Sequence, residues 1–65
     1  MRREIKLVVE GSGFKMVNVY VNNMFINSYV DVEIEEDEQY YYINKSNVHI
    51  TLFDKEDTTI KYLGE

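Results

Sequence analysis

The sequence predicts an all-β domain, with about six short antiparallel strands in a meander that closes or partly closes as a small barrel or sandwich. Two observations carry this, and a third removes the main competitor. Apolar residues recur with a period of two. Turn-forming clusters punctuate the chain at roughly 8–12-residue spacing, as in all-β domains. Residues 33–45, rich in the helix formers Glu and Gln, lack an apolar stripe at i, i+3, i+4 spacing and would stack like charges along a helix.

The elements follow in order. Ile5, Leu7 and Val9 alternate with Glu4, Lys6, Val8 and Glu10, a strand with one apolar face. Gly11-Ser12-Gly13 offers positive-φ freedom for a tight connection. From Phe14 to Asn22 the alternation resumes, with Val17, Val19 and Val21 on one side and Phe14, Met16 and Tyr20 on the other. Asn22-Asn23 suits a two-residue hairpin turn because Asn tolerates left-handed φ. A long run from Met24 to Glu35 follows. Strict alternation places Met24, Ile26, Val30, Val32 and Ile34 on one face and Tyr29, Asp31, Glu33 and Glu35 on the other. Glu36 to Gln39 is a polar turn, Tyr40 to Ile43 a strand, Asn44 to Asn47 a turn and Val48 to Phe53 a strand. Asp54 to Asp57 turns the chain again, and Thr58 to Leu63 is the last strand, with Gly64 ending it.

Sixty-five residues make one domain, and one this small is marginal in stability. Without cysteine it has neither disulfides nor a thiolate metal site, and a single histidine, His49, gives no imidazole cluster. Proline, a common guard of strand edges, is absent. The second strand is apolar on both sides, which a one-faced sheet does not explain. Either the sheet curls or a second copy covers it, so a homo-oligomer using Val17, Val19 and Val21 is expected.

Charge is the strongest functional signal. The net charge is −5, yet residues 1–15 balance to +2, residues 16–44 hold six acids and no base, and residues 45–65 balance to −1. Such a field repels phosphate backbones and anionic membranes and attracts basic surfaces. Direct nucleic-acid binding is disfavoured, since Arg2, Arg3, Lys6, Lys15 and Lys61 are its main stock of cations. No apolar run approaches the ~18 residues of a membrane span, and Glu4 and Lys6 interrupt any signal-peptide core. A cytoplasmic location is the expectation.

Asp31, Glu33 and Glu35 would stand at roughly 6.6–7 Å intervals along one strand face, twice the strand rise. Such a row can enter a groove built for nucleic acid, or it can simply keep an outer face solvated. Glu36, Asp37 and Glu38 extend it. Tyr40 and Tyr42 flank it on one side of the next strand while Tyr41 joins Ile43 on the other, and tyrosine suits both interface anchoring and cross-strand packing. The acids lack the sharp-turn glycine of a calcium loop, Gly11-Ser12-Gly13 lacks the rest of a dinucleotide motif, and no base stands poised over a nucleophile. Asn44-Lys45-Ser46 matches the glycosylation sequon by chance.

The sequence is therefore read as a small acidic binding protein, not an enzyme, with no cofactor or metal. Its expected action is inhibition, docking Asp31, Glu33, Glu35, Glu36, Asp37, Glu38, Tyr40 and Tyr42 on the basic surface of a nucleic-acid-handling protein, in the manner of small phage or mobile-element products. The alternative is a structural subunit that assembles through an apolar sheet face.

Overall fold

The computed structural model describes residues 3–11 and 15–63. The expectations for Ser12, Gly13, Phe14 and Gly64 lie outside them. Six strands follow the chain: β1 (Ile5–Glu10), β2 (Lys15–Val21), β3 (Met24–Glu36), β4 (Tyr40–Lys45), β5 (Val48–Asp54) and β6 (Thr58–Tyr62). A single turn of 3-10 helix, Lys55–Asp57, separates the last two. Residues 33–45 are strand and turn, so the all-β prediction holds.

The strand order is β5-β4-β3-β2-β1-β6. The first five strands form the predicted antiparallel meander. The sixth differs: β6 lies on the far edge, parallel to β1, with Ile5 opposite Thr58 and Val9 opposite Tyr62. That placement dictates the shape. Laid flat, six strands would be about 24 Å across, five spacings of roughly 4.8 Å. The link from Asp54 to Thr58 reaches at most about 14 Å fully extended. The sheet must therefore curl, and it forms a half-barrel. Hydrogen bonds hold the link, among them that of the Thr58 N–H to the Lys55 carbonyl. The Asp54 carboxylate caps the 3-10 turn by accepting from the Glu56 N–H at 2.9 Å, the Thr58 hydroxyl donates to the Asp54 carbonyl at 2.6 Å, and the Lys55 N–H donates to the Gln39 carbonyl.

Both two-residue hairpin loops use left-handed residues. Asn22 and Asn23 do so between β2 and β3, as predicted, and Ser46 and Asn47 do so between β4 and β5. The second loop is shorter than the sequence suggested, because β4 continues through Asn44 and Lys45.

Strand β3 is where simple alternation fails. Met16 pairs with Val30 and Lys15 with Val32, leaving Asp31 unpaired at φ 58°. This is a β-bulge, and the extra residue reverses the alternation across it. Tyr29 opposes Val17 and packs against the core, Val32 is buried, and Val30 is exposed. Tyr29 is thus on the same face as Val32 and Ile34, contrary to the strict-alternation reading. A second shift between Val19 and Tyr20 leaves Ile26 unpaired, and Met24, Phe25 and Ile26 are exposed. The bulge at Asp31 also marks the hand-over along β3, whose first part pairs with β2 and whose last part pairs with β4. Bends of this kind turn one strand from one layer into another.

The core consists of Ile5, Leu7, Val9, Val17, Val19, Val32 and Ile43, with Val21, Tyr29, Ile34, Tyr41, Phe53 and Ile60 packed against it. The expected apolar face of β1 is therefore correct. Val17, Val19 and Val21 were expected at an interface between copies, but they face this core. The outward side of β2 is Met16, Asn18 and Tyr20, all half-buried, and Tyr20 meets Phe25 edge-on at 5.7 Å.

Candidate functional site

The acidic residues fall into two groups that a charge count cannot separate. One group is engaged within the fold. Asp37 accepts from the N–H groups of Gln39 and Tyr40 through one oxygen and from the Tyr42 hydroxyl, at 2.6 Å, through the other. It ties the β3–β4 turn, as Asp commonly does. Glu36 pairs with the Lys55 ammonium at 2.6 Å, and that ammonium also lies 5.1 Å from the centre of the Tyr41 ring. Asp37 and Glu36 thus each hold bonds within the fold, although both are exposed.

The protonation of these groups follows from their bonds. The Tyr42 hydroxyl, with help from the two N–H groups, lowers the Asp37 pKa to about 2. Reciprocally, the Asp37 carboxylate raises that of Tyr42. The Glu36 bond raises that of Lys55. Because the folded value for Asp37 lies below its ordinary 3.8, its contribution to stability is present above pH ~4 and is lost as pH falls through about 2. Tyr42→Phe removes the largest cause. We expect the Asp37 carboxyl to titrate closer to 3.8 in this variant, as read by carbon-detected NMR, with the acid-unfolding midpoint moving to higher pH.

The second group comprises Asp31, Glu33 and Glu35, and the structure brings all three to one place. With Asn44, Ser46 and Asn47 they line a groove of about 300 Å³ on the outward side of the β3–β4 seam. They do not form the evenly spaced line that the sequence suggested, because the bulge takes Asp31 out of the repeat. Instead they surround Asn44. Glu33 is directly opposite Asn44, and His49 flanks Asn44 on the β5 side. Glu35 lies 3.5 Å from His49 Nε2. Tyr42 stacks on the His49 ring at 4.5 Å, with Tyr40 6.2 Å beyond. Tyr40 and Tyr42 are both half-buried; Tyr41 shares a side with Ile43, as expected, and that side faces the core. Glu38 is exposed in the turn.

Asn44, which the sequence marks only as a turn and sequon residue, belongs to the groove. It is 7% exposed, the one buried member of the groove lining, and so forms its floor. Its Oδ1 is buried and accepts no hydrogen bond from any described residue. Burial also means that the sequon at Asn44-Lys45-Ser46 cannot carry a glycan on the folded chain. The available signal was periodicity, since Asn44 continues the alternation of Tyr40 and Tyr42, but Asn beside Lys-Ser-Asn reads first as a turn.

Among the described residues, no three His, Cys, Asp or Glu side chains converge as a metal-binding set, and no helix is long and apolar enough to cross a membrane. No family model matches the chain, and neither a curated protein nor a solved structure shows significant similarity to it.

Proposed function

We propose that this is a non-enzymatic binding protein whose acidic face docks on the basic surface of a partner protein, of the kind that holds nucleic acid, and inhibits it. The supporting observation is that Asp31, Glu33 and Glu35 flank one groove, with no Lys or Arg in the chain between Lys15 and Lys45. Exposed charge of one sign draws in its opposite and raises the rate of encounter. Tyr42 and Tyr40 border the acids and would contribute aromatic area, as anchors do in many interfaces.

The test is capture from lysate by the immobilised chain beside its Asp31/Glu33/Glu35→Ser variant. A basic nucleic-acid-handling protein should be held by the first and lost from the second, with binding that weakens as salt rises. Equal retention by both would sink the proposal, and retention of nucleic acid itself would redirect it.

A second reading has its own support. Phe25, Ile26 and Val30 on β3, and Val48, Ile50 and Leu52 on the edge strand β5, are exposed. Apolar surface of this kind, together with an open strand edge, favours self-association as a structural subunit. Sedimentation at micromolar concentration should then give a multiple of the chain mass, and Leu52→Lys should return it to one.

A further inference from the structure

β5 and β6 are the two edges of the sheet, and among the described residues no strand pairs with the free side of β5. The register shows which backbone groups are open there. The Lys55 N–H donates to the Gln39 carbonyl, so these two residues form a hydrogen-bonded pair at one end of the β4–β5 ladder. Antiparallel ladders alternate bonded pairs with unbonded ones. Along the register, Phe53 with Tyr41 and Thr51 with Ile43 are the next bonded pairs. Leu52, opposite Tyr42, therefore turns its N–H and C=O to the open edge. Proteins guard such a row of bare groups with Lys, Pro or a bulge. β6 carries Lys61, whereas β5 has no Lys, Arg, Asp or Glu from Val48 to Phe53 and only the bulge at Ile50.

Val48, Ile50 and Leu52 are each about half exposed on this strand, at 58%, 45% and 51%. A strand that covers them must be uncharged and apolar in the same places, and a second copy of β5 is so by identity. Resting on the self-association reading above, we propose that β5 pairs with β5 of a second copy, antiparallel about a two-fold axis at Leu52. The Leu52 N–H of each copy then donates to the Leu52 carbonyl of the other. Thr51 comes opposite Phe53, an aromatic–β-branched pair of the kind that stabilises sheets. Asp54 comes opposite Ile50, so no like charges meet at the junction. The acids of β3 lie two strands in from each edge. The two sets thus stand five strand spacings apart, about 24 Å, well beyond the screening length in physiological salt. The pairing joins β3, β4 and β5 of the two copies into one six-stranded antiparallel sheet. An isologous contact of this kind closes at two chains.

The test is amide hydrogen exchange on the wild-type chain beside sedimentation, both run from micromolar to millimolar concentration. The mass should double and stop at two chains. The Leu52 amide should exchange fast when dilute and slowly once the dimer fills. A synthetic chain methylated at the Leu52 amide nitrogen lacks that one donor, which β4 does not use. It should keep its amide dispersion yet stay at the mass of one chain. Phe25→Ser, exposed on β3 where that strand pairs with β2, should leave the doubling intact. A doubled mass with Leu52 still in fast exchange would overturn the pairing and leave self-association through another face. So would a doubling that Phe25→Ser abolishes and methylation does not. A single-chain mass at every concentration would sink self-association itself, and the pairing with it.

Discussion

Leu7→Ala should cost about 2–5 kcal/mol, as truncation of a fully buried leucine does when the surroundings cannot collapse into the space. Leu7 is completely buried. It lies between Val19 of β2 and Ile60 of β6, so it touches both the meander and the strand that closes it. Neither neighbour can move in without pulling its strand out of register. A domain of 65 residues has, at roughly 0.05–0.15 kcal/mol per residue, only about 3–10 kcal/mol to lose. The variant should therefore be partly or wholly unfolded in water at room temperature, as read by loss of amide dispersion or by a collapsed urea midpoint. Lys6→Ala, one residue away and exposed, is the control and should stay within about 0.5 kcal/mol of the wild type. If the two substitutions cost the same, the alternation in β1 is not what holds the fold.

Asn44→Leu should act in the opposite direction. The leucine side chain branches at the same carbon as that of asparagine, with bulkier methyl groups, and it removes a buried oxygen that has no partner among the described residues. Leaving such a group unsatisfied costs about 1–3 kcal/mol, and its replacement by apolar atoms recovers much of that. We expect the urea midpoint to rise with an unchanged slope. A fall of similar size would show that the amide is satisfied in solution or that the site has no room for the bulkier side chain.

Most of the fold was legible because burial on one side of a strand imposes a period of two. Ile5, Leu7 and Val9 are buried, as their spacing required. The Asn22-Asn23 turn was legible because few residues other than glycine accept left-handed φ as readily as asparagine. What alternation cannot express is an inserted residue. Asp31, Ile26 and Ile50 are each left unpaired by a register shift, and the shift at Asp31 changes which neighbours face inward. Only Asp31 gave a local hint, since aspartate tolerates the φ it adopts. The parallel pairing of β6 with β1 was hidden for another reason. It follows from curling a sheet whose last two strands are joined by a short link, which is a property of the whole chain and not of any segment. The candidate site divides the same way. Its charges were plain, but which carboxylates were occupied depended on partners such as Lys55 and Tyr42 that the sequence could not place.

The pairing of β6 with β1 also bears on how the chain reaches its native state. Ile5 and Thr58 are more than fifty positions apart, whereas each hairpin joins near neighbours. Contacts of such long range are slow to form, because the intervening chain must be ordered before they return anything. The hairpins can condense early, and the edge of β1 then waits for Thr58–Tyr62. During that interval β1 is a bare template, open to another chain's strand. Refolding yield should accordingly fall as protein concentration rises, even though the finished domain has that edge covered.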